Sequence, residues 1–396
     1  MGAYMTSFPG NRFHTLIAIS VVTALYALVY FLMEGFQFPI QKDELHFWPT
    51  SLFFSNPFPP TLAQLRTYKD LNTPFPFLLF GGLEHFFQKG IWMGRLANYL
   101  ISFACVLGVL LAKGRVTRST IFSALGLLSF PYFLGVSTHL YTDIIAAAFV
   151  LLGVSGHFRE RHLLSSCAFS VAVSSRQYSV VFPTAVLLYR FFSVGVDRRA
   201  VWLLIPLCCL GGWFVFWGGP APETALSQQV VATVSWNQFL FQNIGYFLAS
   251  VGVYFVIPEF LFFNHTRRLF IKRVMNSRRL LALVILVVGY FALFPPMGNP
   301  PPYAFKEMGF LDKSLRFFLP EFLRVVSLGV FALLAVIRFA ELTPEAAFVF
   351  MNAVMMAKAH IAWDKYALSL LIVLWWMKAA ELTPYPAGKD AVGLEL

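Results

Sequence analysis

Charged side chains are scarce in this sequence, and their scarcity excludes most soluble folds. Asp, Glu, Lys and Arg make up 12% of the 396 residues, whereas 58% are hydrophobic, and an ordinary soluble domain is about 25% charged. The sequence therefore predicts that lipid surrounds most of the chain. The net charge of +11 does not indicate a nucleic-acid partner, because the basic residues lie in short segments between apolar runs and no binding motif occurs.

Cysteines and nucleotide-binding signatures are also scarce or missing. No phosphate-binding Walker loop or Gly-rich dinucleotide motif occurs, which argues against a nucleotide-hydrolysing pump and a flavin enzyme. No His or Cys pair has zinc-ligand spacing, so we expect no zinc site. Nothing visible in the sequence requires another metal or a cofactor, and we expect none, although a carboxylate pair could hold a metal ion. The four cysteines all lie within apolar runs, where they neither form a disulfide framework nor indicate a redox compartment: Cys105, Cys167, Cys208 and Cys209.

Apolar runs of membrane-crossing length dominate what is present. They predict an all-α, polytopic transmembrane bundle of about eleven or twelve helices that forms one domain over residues 1–396. The first run is long enough for a full span and predicts a signal anchor, whereas several others fall short of the ~20 residues that a straight span needs. The predicted spans are residues 14–33, 91–112, 119–136, 141–156, 162–175, 177–194, 201–217, 239–262, 280–296, 318–337, 345–358 and 361–378.

The loops between these spans predict an orientation. Four loops are rich in Lys and Arg and alternate with poorer ones, which places them in the cytoplasm by the positive-inside rule: residues 113–118, 157–162, 190–199 and 264–279. The opposite face receives the long segments 34–90, 218–238 and 297–317. Within the first of these, apolar spacing predicts short surface helices at 61–71 and 77–88.

Ionisable residues beside the spans gather at this non-cytoplasmic face. Such residues are costly near lipid and indicate function. An acid, several cations and aromatic side chains on one face predict a site for an anionic, polar substrate at the membrane surface. The clusters contain Lys42, Asp43, Glu44 and His46; His139, Tyr141 and Asp143; Arg176 and Gln177; Lys306, Lys313 and Arg316; and His360, Asp364, Lys365 and Tyr366.

This set of residues suits the transfer of a sugar from a lipid phosphate. Such a reaction needs a base for the acceptor hydroxyl and cations that hold the phosphate as negative charge develops on it. Asp43 or Glu44 can be the base. The candidate cations for the phosphate are Lys313, Arg316, Lys365 and Arg176.

Each candidate also has a structural interpretation. Asp43 and Glu44 can form an acidic helix start, Asp143 can cap the helix that follows it, and Arg176 can extend its charge along the interface. The remaining candidates have the simpler interpretation of loop charges or structural histidines: Lys306, Lys313, His85 and His139.

Several short motifs, in order along the chain, resemble the GT-C superfamily of membrane glycosyltransferases. The closest resemblance is to the dolichyl-phosphoglucose-dependent alpha-1,2-glucosyltransferases of N-glycan precursor assembly. In the long 297–317 loop, Lys and Arg replace that family's Asn-Arg-His-Tyr segment. The motifs are Asp43-Glu44-Leu45-His46-Phe47, Asn72-Thr73-Pro74-Phe75-Pro76, Arg95-Leu96-Ala97-Asn98, Tyr141-Thr142-Asp143, Arg176-Gln177 and Asp364-Lys365-Tyr366.

The resemblance implies an enzyme that moves a hexose, most simply glucose, from a polyprenyl- or dolichyl-phosphate donor to a glycan or lipid-linked acceptor. It places the enzyme in the ER membrane or the bacterial inner membrane, with its site on the lumenal or periplasmic face. Asp43 and Glu44 would then be catalytic. The donor phosphate would be held by Lys313, Arg316, Asp364, Lys365 and Tyr366. The substrate-binding residues would be His46, Asn72, Arg95, Tyr141, Asp143, Arg176 and Gln177.

A transporter or lipid-linked sugar flippase is the alternative function. It would require charges deep within the spans, whereas most of the charges here lie at span ends. Glu321 and Arg324, just inside the tenth predicted span, are the exception, and their spacing predicts a pair across one helical turn.

Overall fold

The chain is all-α in a computed structural model that describes residues 10–41, 43–193, 195, 198–228, 239–276, 278–296, 309–359 and 361–382. The predictions for Lys42, Lys306 and His360 lie outside these residues. In chain order the helices are α1 (Gly10–Leu32), α2 (Glu44–Ser55), α3 (Leu62–Thr67), α4 (Phe75–Phe87), α5 (Ile91–Leu110), α6 (Arg118–Leu128), α7 (Pro131–Ser137), α8 (Thr142–Phe158), α9 (His162–Val173), α10 (Val181–Ser193), α11 (Val201–Trp217), α12 (Glu223–Gln228), α13 (Gln242–Val251), α14 (Ile257–Phe262), α15 (Asn264–Asn276), α16 (Arg278–Leu293), α17 (Phe310–Phe318), α18 (Glu321–Arg338), α19 (Pro344–Met356) and α20 (Leu368–Ala379).

A helix lies in each of the twelve predicted spans, and the chain is a multi-pass membrane protein. Among the described residues, four helical segments are long and apolar enough to cross a membrane, namely 12–32, 91–110, 198–217 and 242–262. The bent pair α6 and α7, whose axes differ by 71°, adds a fifth if it is one span. Several of the other helices are shorter, so the number twelve itself remains a prediction.

The long first loop contains more helix than the sequence pattern indicates. The predicted surface helices appear as α3 and α4, and Thr61 and Gln64 form a capping box at the start of α3. The sequence interpretation missed α2, which begins directly after Asp43 and packs along α4. One face of α2 is buried, but its exposed face also carries apolar side chains, namely Leu45, Leu52 and Phe53, so the sequence shows little amphipathic periodicity.

The last helix, α20, is the central helix of the bundle. All twelve of its residues are buried, and it packs against α6 and α8. The approach to α6 is close, because a Cβ added to Gly126 would lie 2.4 Å from the ring of Trp375. Glycine at this position therefore lets the two helices meet, and the residues just before α20 are fixed at one end of the bundle.

A buried ion network occupies the other end of the bundle. Glu259 accepts from Arg338 Nε at 2.7 Å and from Lys378 Nζ at 2.7 Å, and Lys378 also donates to Thr266 at 2.8 Å. Each charged member lies within one turn of a helix end, which does not match the mid-bundle charges that a transporter would need.

The predicted pair of Glu321 and Arg324 is wrong. Arg324 lies 3.6 Å from Asp312 on α17, while Glu321 is exposed. The helices α17 and α18 are close neighbours. Arg324 therefore pairs with an acid on the neighbouring helix and not with Glu321 on its own helix.

Candidate functional site

Arg95 on α5 clamps the beginning of the long first loop onto the bundle. Its Nε and one terminal nitrogen donate to the two oxygens of Glu44 at 2.8 and 2.6 Å. Its other N–H groups donate to the carbonyls of Phe36, Phe38 and Pro39. All five guanidinium donors are used and the side chain is fully buried. This geometry gives Arg95 a structural role, and its role in substrate binding stays a prediction.

Glu44 is the acidic half of this clamp. Besides Arg95, it accepts from the backbone N–H of Leu140 at 2.7 Å and of Gln41 at 3.1 Å. The residue has no solvent exposure. With both oxygens engaged and no exposure to the site, Glu44 holds the start of the first loop in this structure, and its catalytic role stays a prediction.

Asn98, one turn after Arg95, fixes the segment between α7 and α8. Its amide nitrogen donates to the carbonyls of His139 and Tyr141 at 2.8 and 2.7 Å. The Arg-Leu-Ala-Asn motif thus joins the first loop to the 139–141 segment. Two parts of the chain that are far apart in sequence are held side by side.

Asp43 differs from its neighbour because its carboxylate is accessible. Its side chain is 32% exposed and accepts from Lys365 Nζ at 2.8 Å. Burial alone would raise the pKa of this carboxyl, but the positive charges of Lys365, Arg176 and His46 together hold the pKa below its usual value. Asp43 precedes α2 but makes no capping hydrogen bond with its side chain. It is an ionised carboxylate that is partly open to solvent.

A cavity of about 290 Å³ lies on the Lys365 side of this carboxylate. Its walls carry two cations, Lys313 and Lys365, together with aromatic side chains such as Tyr141 and Trp363. Lys365 Nζ lies 3.9 Å from the centre of the Trp363 ring. Lys313 comes from α17 and is exposed, as is Arg316, which does not line this cavity. The cavity offers positive charge and flat apolar surface together.

Asp364 supports this cavity from behind and does not open into it. It is 1% exposed and accepts from the Tyr254 hydroxyl at 2.8 Å and from the Leu311 N–H at 2.9 Å. The neighbouring N–H, of Phe310, donates to the Tyr132 hydroxyl at 2.9 Å. This carboxylate holds the first turn of α17, the helix that carries Lys313, and the predicted contact of Asp364 with phosphate stays a prediction.

Arg176 forms a second buried ion pair beside Asp43. It donates to Thr142 at 2.9 Å and to Asp143 at 2.7 Å, and the Tyr178 hydroxyl donates to the other oxygen of Asp143 at 3.2 Å. Arg176 is 7% exposed, so it does not extend to the membrane surface as a free interfacial charge. Tyr366 completes this wall, with its ring centre 6.2 Å from that of Tyr178.

Asp70 belongs to the same region and was missed by sequence reasoning. It is 3% exposed, and its Oδ1 accepts from the backbone N–H and the side-chain amide of Asn72 at 2.8 and 2.9 Å. Burial raises the pKa of Asp70 to about 6, against the hydrogen bonds from Asn72 and the charge of Arg176. The Asp-Leu-Asn spacing, typical of an Asx turn, was the available signal.

Two of the predicted substrate ligands therefore hold the loops of the site. Asn72 positions Asp70, and Gln177 donates its amide to the carbonyls of Leu71 and Pro220. These bonds tie the 68–74 segment to the segment after α9. Asn72 and Gln177 are positioning residues by this geometry.

A second cavity, of about 470 Å³, lies between α2 and the 67–69 segment. Its lining includes His46, Thr50, Tyr68 and Lys69. His46 stands close to Asp43, since its N–H donates to the Asp43 carbonyl at 3.0 Å. Asp43 thus has a cationic cavity on its Lys365 side and a polar cavity on its His46 side.

The site contains several acids, but among the described residues no group of three or more His, Cys, Asp or Glu side chains is arranged to hold a metal ion. The carboxylates of Asp43 and Asp143 instead face cations of the chain itself, Lys365 and Arg176.

Comparisons with known proteins find little. No protein-family model matches the sequence, and no curated protein is significantly similar to it. A solved structure, the crystal structure of ArnT from Cupriavidus metallidurans bound to undecaprenyl phosphate, is similar over 91% of this chain and 77% of its own. The TM-score is 0.44 and the sequence identity is 14%.

Proposed function

We propose that this protein is a membrane glycosyltransferase of the GT-C type, which transfers a sugar from a polyprenyl-phosphate donor to an acceptor hydroxyl. One observation carries the proposal. Asp43 is a partly exposed carboxylate paired at 2.8 Å with a lysine that lines a cavity with a second lysine and aromatic walls. The reaction requires at least a general base and a cationic cavity that accommodates the phosphate.

In the proposed arrangement each participant has a position. The donor phosphate lies between Lys313 and Lys365, and its sugar points toward Asp43. The acceptor enters from the His46 cavity, and Asp43 takes the proton of its hydroxyl. As the new bond to the sugar's anomeric carbon forms, the bond from that carbon to the phosphate oxygen breaks. The electron pair stays on the phosphate, whose added negative charge the two lysines stabilise.

The finer assignment follows the sequence resemblance. The sugar is a hexose, most simply glucose, and the acceptor is a glycan or a lipid-linked glycan. Direct displacement from a beta-linked donor gives an alpha product. The site faces the lumen or periplasm, since Asp43, Asp143, Arg176 and Lys365 lie together at one end of the bundle and the basic loops are predicted at the other.

The test is a transfer assay with purified full-length protein. The protein is incubated with a panel of polyprenyl-phosphate sugars and lipid-linked acceptors, and acceptor-dependent release of the polyprenyl phosphate is measured. Asp43→Asn is the matched inactive variant. Release that requires an acceptor and is lost in this variant supports the proposal. No release with any donor, from protein that is shown to be folded, overturns it.

A further inference from the structure

A third cavity lies at the end of the bundle opposite the candidate site. Helix α8 carries Thr142 and Asp143 of the site at its first turn and His157 at its last, which places the two ends roughly 22 Å apart. The cavity, of about 230 Å³, is enclosed by the ends of α8, α9, α10 and α19. It shares no lining residue with the two cavities beside Asp43.

Cationic and hydrogen-bonding side chains lie in this cavity beside an apolar wall. Among the described residues, the polar lining consists of two arginines, two histidines, a tyrosine and one acid, and the members are His157, His162, Tyr189, Arg190, Arg199 and Glu160. The acid lies 3.3 Å from Arg199 in an exposed pair, which is a weak contact in water. Arginine suits bidentate contact with a phosphate group.

The flanks of the cavity are apolar and face outward. Leu163 and Leu164 directly follow His162, and Phe191 and Phe192 directly follow Arg190. Their side chains are between 39% and 68% exposed. In a membrane protein such side chains contact lipid, so the cavity opens where acyl chains meet their headgroups. The loops beside it, 157–162 and 190–199, are two of the four basic loops.

We propose that this cavity binds the phosphate of an anionic phospholipid, with the acyl chains lying against the leucines and phenylalanines beside it. Basic pockets between membrane helices on the cytoplasmic side are suited to anionic headgroups. The bound lipid would join α9, α10 and α19 at their ends. The proposal does not depend on the transferase reaction, because its residues lie at the opposite end of the bundle.

The experiment compares lipid binding by two variants of the protein, each of which lacks one of two adjacent arginines. Full-length protein in a neutral detergent is titrated with phosphatidylglycerol, phosphatidylcholine or inorganic phosphate, and retained ligand is counted by native mass spectrometry. Arg199→Gln removes a cavity cation. Arg198→Gln is the matched control, because Arg198 is also exposed and does not line the cavity.

We expect the unmodified protein to retain phosphatidylglycerol in preference to phosphatidylcholine. Arg199→Gln should weaken this binding about fivefold, whereas Arg198→Gln should change it less than twofold. Arg190→Gln provides a second variant on another helix with the same expected direction. Since Arg199 is exposed, its replacement leaves folding intact and the comparison with Arg198 remains valid.

Three results would overturn the proposal. Equal retention of the two lipids would show that charge is not recognised. An equal loss of phosphatidylglycerol binding in Arg198→Gln and Arg199→Gln would show that the lipid is attracted by the charge of the whole surface and does not bind at this cavity. Displacement of phosphatidylglycerol by inorganic phosphate at comparable concentration would show a site for a free anion in place of a lipid.

Discussion

At the scale of single residues, the two adjacent acids after the first span have different roles. Glu44 is fully buried in contact with Arg95, whereas Asp43 is partly exposed and paired with Lys365. Neighbouring residues at a helix start point about 100° apart, so the two carboxylates cannot share one environment. This separation makes Asp43 the base of the proposed reaction.

Asp43→Asn tests this assignment most directly. The substitution keeps the shape of the side chain and removes the proton acceptor, so turnover should fall by about two to four orders of magnitude. The thermal unfolding midpoint should fall as well, because Asp43 is the counter-charge of the buried Lys365, so turnover is measured at a temperature where the variant is still folded. Normal transfer by this variant would show that Asp43 is only part of a helix start.

Lys365→Ala should affect both the donor and the base. Loss of the cation weakens use of the donor. It also removes the main positive charge that lowers the pKa of Asp43 against the opposite effect of burial. The pKa of Asp43 should therefore rise, and the acidic limb of the pH–rate profile should move to higher pH. Lys365→Arg should retain part of the activity and the original acidic limb.

If Lys365→Ala lowers the rate equally at every pH, the lysine does not hold Asp43 ionised. If this variant uses donor normally, Lys365 is only an anchor at the interface.

Asp70→Asn should raise stability at neutral pH. The folded-state pKa of Asp70, about 6, lies above the ordinary pKa of an aspartate, 3.8, so the fold favours the protonated form. Stability from this group is complete below pH 4 and falls as pH rises through 6. This difference in pKa corresponds to roughly 3 kcal/mol of stability. The unfolding midpoint of Asp70→Asn should exceed that of the unmodified protein at pH 7.5 and match it near pH 4; the same gain at both values would contradict this.

At the scale of helices and loops, the Arg95–Glu44 clamp fixes where α2 begins. Glu44→Gln leaves the buried guanidinium without its counter-charge, which typically costs roughly 3–5 kcal/mol. The control is Glu160→Gln, which breaks an exposed pair with Arg199 and should cost under about 1 kcal/mol. Thermal unfolding in detergent measures the stability of both variants. Equal decreases in their unfolding midpoints would show that the Arg95–Glu44 pair does not secure the loop.

The helical segments themselves were largely predictable. Apolar runs gave a helix in every predicted span, and the surface helix predicted over 61–71 is present as α3, Leu62–Thr67. α2 and the capping of α17 by Asp364 were not predictable. In both cases the decisive contacts come from distant parts of the chain: α4 for α2 and the start of the last span for α17.

At the scale of the whole molecule, the charge distribution predicts an orientation. A cysteine at position 89, in the long first loop, and one at position 268, in basic helix α15, should label from opposite sides of the membrane. Both positions are exposed. The test needs a background without the four native cysteines, of which Cys167 and Cys208 are exposed. Labelling of both from one side would overturn the predicted span count and the face assigned to the site.

The sequence by itself determined that lipid surrounds most of the chain and that the fold is helical. It also predicted a group of ionisable residues at one end of the bundle, although it missed Asp70. Apolar content and the positions of Lys and Arg are local properties, so they can be obtained from the chain without its fold. The tertiary structure alone decided which acid is exposed, and that Asp43 meets Lys365, which is 322 residues away. It also brought Asp70 beside Arg176 and turned Asp364 away from the cavity. Burial and charge pairing depend on packing between distant segments, and no sequence pattern records them.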